Sequence, residues 1–186
     1  MKTTLRTRKL TLMAMFAAMA YLLMMVGRIP ISSVDFLKYD PKDMVIAICG
    51  FVLGPAPALT VATVVALIEM LTVSTTGPIG FLMNLISSAM FVGSAALVYR
   101  RVHTLRGALM GLLLGIAMQT ASMLLWNYLI TPFYMGYPRE AVAAMLIPVF
   151  LPFNLIKSAL NAVITLLVYK PVSRAIKPYL ALASRR

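Results

Sequence analysis

Apolar runs follow one another along almost the whole chain, and they restrict the possible folds more than any other feature. Of the 186 residues, 61% are hydrophobic and 12% are charged, and the mean hydropathy is +0.92. A backbone in lipid must satisfy its hydrogen bonds within its own segment, which favours helices. The sequence therefore predicts an all-α integral membrane protein, a compact bundle of six transmembrane helices.

The six predicted spans are joined by short links. They cover residues 10–27, 44–53, 58–72, 81–99, 107–130 and 144–169. The second run is too short to cross upright, and Gly50 and Gly54 have the spacing that lets helices approach closely. We predict a single transmembrane domain over residues 1–186, with tails at 1–9 and 170–186.

The basic residues are unevenly distributed between the two sides of the predicted bundle. Twelve Lys and Arg lie on the side of the termini, four lie on the other side, and Lys157 falls inside a span. This bias predicts that both termini are cytoplasmic. It also assigns the net charge of +12 to topology and lipid headgroups rather than to nucleic acid.

Lys157 is the most unusual residue, because it places an ammonium inside an apolar run. Asn154, Lys157 and Asn161 follow one face of the predicted helix. A charge at this depth costs at least ~2.5 kcal/mol and is usually turned toward a partner, a cavity or a substrate. The alternatives are an ion pair between Lys157 and Glu69, and hydrogen bonds from the two amides to other helices.

The predicted topology brings several polar side chains into the outward half of the bundle. Carboxamides together with one ammonium suit an uncharged, amide-rich heterocycle. The residues expected to converge are Glu69, Asn84, Asn127, Asn154 and Lys157, with Phe36, Leu37 and Tyr39 able to close over them.

Asp40 precedes the second run and is predicted to cap it. Pro41 would then occupy the first helical position, and Asp43 would lie in the first turn, where a carboxylate is favourable.

The sequence contains almost no signal for catalysis. It has no Walker-type ATP-binding motif and no cluster of carboxylate, Cys or His residues suited to a metal. The one cysteine, Cys49, is expected to pack in the core, and His103 lies in a basic link. We therefore predict no enzyme, no catalytic residue, no metal site and no cofactor.

Three stretches resemble a known family. They are residues 36–43 (FLKYDPKD), 127–136 (NYLITPFYMG) and 151–157 (LPFNLIK). Together they resemble the riboflavin-specific S component of energy-coupling factor (ECF) vitamin transporters, over nearly the whole chain. The resemblance implies a multi-pass subunit of the bacterial plasma membrane that binds riboflavin with high affinity from outside. It would deliver the vitamin with a transmembrane coupling protein and two ATPases, by toppling in the bilayer.

The resemblance also implies roles for particular residues. Asn127, Asn154 and Lys157 would hold the polar edge of the flavin ring, and the loop from Leu37 through Tyr39 to Asp40 would act as a lid. Asn84 is a candidate from the predicted geometry alone.

Ala14 and Ala18 in the first span form a small-xxx-small pair. This pattern by itself is as consistent with packing inside the bundle as with a docking surface. The family resemblance favours docking on the coupling protein.

Three other functions stay open. The chain could be an S component for a different vitamin, or a solitary secondary transporter that uses Glu69 and Lys157. It could also be a membrane scaffold that binds no small molecule.

Overall fold

The computed structural model describes residues 2–30 and 37–181, and almost all of them are helical. Within these ranges the chain forms eight α-helices, two π-helical turns and one pair of short strands. The helices are α1 (Lys2–Gly27), α2 (Lys42–Leu53), α3 (Pro55–Thr72), α4 (Gly77–Ser88), α5 (Ser94–Arg101), α6 (Leu105–Met135), α7 (Arg139–Met145) and α8 (Leu151–Ala181). The π turns, Ala89–Gly93 and Leu146–Phe150, join α4 to α5 and α7 to α8.

Five helical stretches among the described residues are long and apolar enough to cross a membrane. They are Arg6–Gly27, Pro55–Thr72, Gly77–Arg101, Leu105–Phe133 and Arg139–Ile176. The predicted helical membrane protein is thus confirmed. The remaining predicted span, the second at residues 44–53, corresponds to α2, whose 12 residues extend about 18 Å, less than the roughly 30 Å of a bilayer core.

The short helix α2 lies at the centre of the bundle. It packs against α1, α3 and α8, and nine of its twelve residues are buried. A helix that is apolar on nearly every side is stable only when neighbours surround it. Cys49 is fully buried in this core, as its predicted packing role requires.

Gly50 allows α2 to approach the helices beside it. A Cβ atom at this position would lie 2.9 Å from the Ala96 side chain and 3.3 Å from that of Ala58. The predicted close approach at Gly50 is therefore confirmed. Gly54 instead links α2 to α3 with a φ of 99°, in the region that favours glycine.

Several helices extend beyond their predicted ends. The helix α6 continues through residues 131–135, which were expected to form a loop, and α4 begins at Gly77 inside the expected link. Pro148 and Pro152 lie in or next to the second π turn. Each lacks an amide donor, and the wider turn accommodates the missing hydrogen bonds without ending the helix.

A small antiparallel strand pair marks one end of the bundle, which we call the strand end. Ile29 in β1 (Ile29–Pro30) pairs with Tyr39 in β2 (Lys38–Tyr39). At this end α1 and α3 finish, and α2 and α4 begin.

The predicted cap at the start of α2 is wrong. Pro41 occupies the N-cap position, and no side chain caps the helix. The Asp40 carboxylate instead pairs with Lys157 and Lys42.

Candidate ligand-binding site at the strand end

A cavity at the strand end is lined by residues from the four helices α3, α4, α6 and α8, from the α3–α4 turn, and from the segments around β1 and β2. Its polar lining comes from Arg28, Lys38, Asp40, Glu69, Ser74, Thr75, Thr76, Asn84, Ser87, Asn154 and Lys157. Its apolar lining comes from Leu37, Val73, Met83, Met123 and Phe153. Four of the five side chains expected to converge on one pocket therefore do so: Glu69, Asn84, Asn154 and Lys157.

Lys157 projects into this cavity from α8 and has a counterion. Its Nζ lies 3.3 Å from Oδ2 of Asp40, and both side chains are buried. The predicted alternative, an ion pair between Lys157 and Glu69, is wrong. The prediction that Lys157 is turned toward a partner and a cavity is confirmed.

Glu69, which also lines the cavity, has two cationic partners. Its two carboxylate oxygens accept from Lys42 Nζ at 2.5 Å and from Arg28 Nη2 at 3.3 Å. Lys42 also lies 3.8 Å from Asp40. The pairs therefore form a chain that leads from Arg28 through Glu69, Lys42 and Asp40 to Lys157.

The charges of this cluster balance among the described residues. The cations are Arg28, Lys42 and Lys157, and the acidic side chains are Asp40, Asp43 and Glu69. Ser88 donates a hydrogen bond to Asp43. With every carboxyl ionised, these six side chains carry no net charge, and the exposed Lys38 adds one further cation to the cavity lining.

The ionisation of Asp40 depends on its lysine neighbours. Burial by itself would raise the pKa of this carboxyl, but Lys157 and Lys42 together lower the pKa below its ordinary value of 3.8. Asp40 is therefore a carboxylate at neutral pH. One of its oxygens, Oδ1, is buried without a hydrogen-bond partner among the described residues.

The asparagines differ in what they can offer a ligand. Asn154 donates its Nδ2 to the Phe150 carbonyl at 2.7 Å and still lines the cavity. Asn161 donates to the backbone carbonyl of Asp40 at 3.3 Å, so its hydrogen bond goes to the segment before α2 rather than to another helix as predicted. Asn84 is partly buried and lines the cavity.

Asn127 is the fifth residue that was expected to converge on the cavity, and it does not line the cavity. It is buried in α6, where it donates to the Met123 carbonyl and accepts from the Thr131 hydroxyl. Both ends of its carboxamide are therefore used within its own helix. The role of Asn127 in binding a ligand stays a prediction. For Asn127 to reach a ligand in the cavity, its side chain would have to exchange these hydrogen bonds within α6 for contacts with the ligand.

The residues expected to close over the pocket differ in their positions. Leu37 lines the cavity, whereas Tyr39 is buried but does not line it. Phe36 lies outside the described residues.

The turn between α3 and α4 contributes wall residues that the sequence analysis did not select. Ser74, Thr75 and Thr76 add hydroxyl groups beside Glu69. The sequence predicts only a link between two spans here. The position of these small polar residues directly after the helix that carries Glu69 was the sequence signal that could have identified them as part of the site.

The enclosed space is small. Its volume is about 70 Å³, which is enough for a few water molecules. Sites for small organic ligands enclose about 300–1,000 Å³. A ligand with a fused ring system therefore requires side chains at the strand end to move apart.

Ala14 and Ala18 lie on a different surface. Both are exposed on α1, whereas Ala17 and Ala20 of the same helix are buried. The pair therefore does not pack inside this bundle, and it leaves a shallow strip on the outer face.

Comparison with known proteins identifies the family. Residues 8–169 match the family described as "ECF transporter, substrate-specific component". The chain belongs to this family. It is thus an S component, which makes it part of a transporter rather than an enzyme, as the sequence predicted.

The fold of this S component agrees with a solved structure. That structure is described as "Structure and mechanism of the S component of a bacterial ECF transporter". The TM-score is 0.78 at 24% identity, and the match covers 92% of this chain and 99% of the other. At this identity the likeness concerns the fold.

Curated relatives of this S component are named as riboflavin transporters. It is 26% identical to riboflavin transporter FmnP of Bacillus subtilis, over 89% of this chain and 92% of the relative. It is 27% identical to riboflavin transporter RibU of Streptococcus thermophilus, over 89% of this chain and 83% of the relative.

Proposed function

We propose that this S component binds riboflavin in the strand-end cavity and delivers it across the bacterial plasma membrane. The observation that carries the proposal is the lining of the cavity, where Lys157, Asn154 and Asn84 face one space. Relatives named as riboflavin transporters support the choice of ligand.

The chemistry of the cavity suits this vitamin. The ring system of riboflavin is flat and mostly apolar, with carbonyl and imide groups at one end and a hydroxylated tail at the other. Lys157 and the amide of Asn154 form hydrogen bonds with the carbonyl and imide edge of the ring, while Phe153 and Leu37 pack against its apolar surface. A carboxamide left unpaired by a wrong ligand costs ~1–3 kcal/mol, which is the source of selectivity.

In this proposal the strand end faces the outside and both termini are cytoplasmic. The positive-inside bias of the sequence supports this orientation. In this proposal the S component works with a transmembrane coupling protein and two ATPases, which its membership of the ECF transporter family supports. The exposed Ala14 and Ala18 on α1 supply the docking strip for the coupling protein.

The test is the absorption and fluorescence of the protein purified from riboflavin-fed cells. The expected result is a yellow protein whose bound flavin has quenched fluorescence, at about one flavin per chain. A colourless protein that leaves the fluorescence of added riboflavin unchanged would contradict the proposal. Binding of another vitamin would then identify a sister S component.

Transport assays separate this function from a solitary secondary transporter. Vesicles that contain the S component without ATPases should show no uptake driven by an ion gradient. The ion pairs of Glu69 with Lys42 and Arg28 support this expectation, because they leave neither carboxylate oxygen unpartnered for a coupling ion.

A further inference from the structure

Glu69 is a charged residue of the cavity wall for which riboflavin binding supplies no role. It lies near the end of α3, is 1% exposed, and lines the cavity. An uncharged vitamin needs no carboxylate at this wall. Its place beside two cations therefore calls for another explanation.

We propose that Glu69 makes the cavity selective for an uncharged flavin over a phosphorylated one. It does so by neutralising Arg28 in the cavity wall. The inference rests on the proposed function, because it concerns the tail of a ligand whose ring is held by Asn154 and Lys157.

The position of Glu69 relative to Lys157 supports this role. Lys157 and Asn154 belong to α8, whereas Glu69 belongs to α3, and α2 packs against both helices. A ring with its polar edge at α8 directs its tail toward the wall formed by Arg28, Glu69 and the Ser74–Thr76 turn. The hydroxyls of that turn match a polyol tail.

Arg28 would otherwise be well suited to bind a phosphate. Its side chain is 28% exposed and reaches the cavity, and a guanidinium binds phosphate oxygens in pairs. Its Nη2 lies 3.3 Å from Glu69, and its Nε is buried without a partner among the described residues. The carboxylate contacts the guanidinium through Nη2, neutralises its charge and repels a second anion.

The net charge of the cluster gives the direction of the effect. A phosphomonoester carries a charge of about −1.5 to −2 at neutral pH. At this wall Glu69 cancels the charge of Arg28, so the phosphate gains less attraction there and must approach a carboxylate. Replacing Glu69 with Gln leaves the six-residue cluster with one positive charge, which favours the phosphate ester over the uncharged vitamin.

The experiment compares two ligands on each variant. Quenching of flavin fluorescence gives the dissociation constants of riboflavin and of riboflavin 5′-phosphate at neutral pH and low salt. For Glu69→Gln, we expect the ratio of the phosphate ester's constant to that of riboflavin to fall by about tenfold or more. Arg28→Gln removes the cation and should move the same ratio in the opposite direction.

Glu140→Gln is the matched control. It makes the same change of charge at an exposed position of α7, where solvent screens the effect. We expect its ratio to stay within about twofold of the parent protein.

The results separate the two proposals. If the parent protein does not bind riboflavin, the proposed function fails. If it binds riboflavin but Glu69→Gln leaves the ratio unchanged, the inference about Glu69 is wrong while the function stands. A loss of packing alone weakens both ligands together and leaves the ratio unchanged. If Glu69→Gln does not fold, an unchanged ratio in Arg28→Gln overturns the inference.

Discussion

Replacing Lys157 with Met removes the ammonium but keeps most of the apolar stem. A hydrogen bond from a charged donor contributes about 1.5–3 kcal/mol. Because 1.4 kcal/mol corresponds to a factor of ten in affinity, riboflavin binding should weaken by about 10- to 150-fold. The measurement is a titration of riboflavin fluorescence with the purified variant.

The same substitution also affects the fold, because Asp40 loses its closer partner. Asp40 is 3% exposed, and Lys42 at 3.8 Å would be its remaining ion-pair partner. Removing one member of a buried pair typically costs about 3–5 kcal/mol, and the retained lysine should reduce this cost. We expect a lower Tm for Lys157→Met in detergent.

The double variant Asp40→Asn with Lys157→Met separates binding from stability. It replaces both charges, so most of the lost Tm should return while riboflavin binding stays weak. Asp40→Asn alone completes the cycle and gives the part of the binding loss that belongs to Asp40. If the double variant binds riboflavin as tightly as the parent protein, Lys157 serves only the fold and the site assignment is wrong.

Three other changes test the site, the docking strip and the charge cluster. Asn154→Ala removes one uncharged hydrogen bond to the ligand from a protein that still folds. It should therefore weaken riboflavin binding at least about tenfold with little change in Tm. Unchanged affinity would refute the role of Asn154. Ala14→Trp should leave riboflavin binding intact and stop uptake in cells. Leu113→Trp, at another exposed position, should leave both binding and uptake intact. Continued uptake with Ala14→Trp would rule out docking through Ala14 and Ala18. Because the pKa of Asp40 lies below 3.8 in the folded protein, the stability from its pair with Lys157 is present above that pH and is lost as the pH falls through the lower value. Melting curves between neutral pH and pH 3 should show this acid-induced loss in the parent protein and a smaller one in Asp40→Asn.

The fold was largely predictable because one physical rule applies along the whole chain. Apolar runs in lipid must become helices, so five of the six predicted spans match helical stretches of sufficient length. The helix ends were less predictable. Residues 131–135 contain Pro132 and polar side chains, yet α6 continues through them and ends at Met135, three residues after the proline.

The candidate site was predictable where periodicity determined it. Asn154 and Lys157 share a helical face, and both line the cavity. Asn127 was expected beside them, but its carboxamide bonds within α6 instead. Whether an amide faces its own helix or a cavity depends on its rotamer and on the neighbouring helix, and neither is encoded by spacing.

The sequence by itself determined the class of protein, the approximate helices and the presence of a buried cation that needs a partner. These properties depend on local composition and on the cost of placing charge and backbone in lipid. Only the tertiary structure decided which acid pairs with which base: Lys157 with Asp40, and Glu69 with Lys42 and Arg28. The Arg28–Glu69 pair joins residues 41 positions apart, and the Lys157–Asp40 pair joins residues 117 positions apart. Their partners therefore follow from how the helices pack.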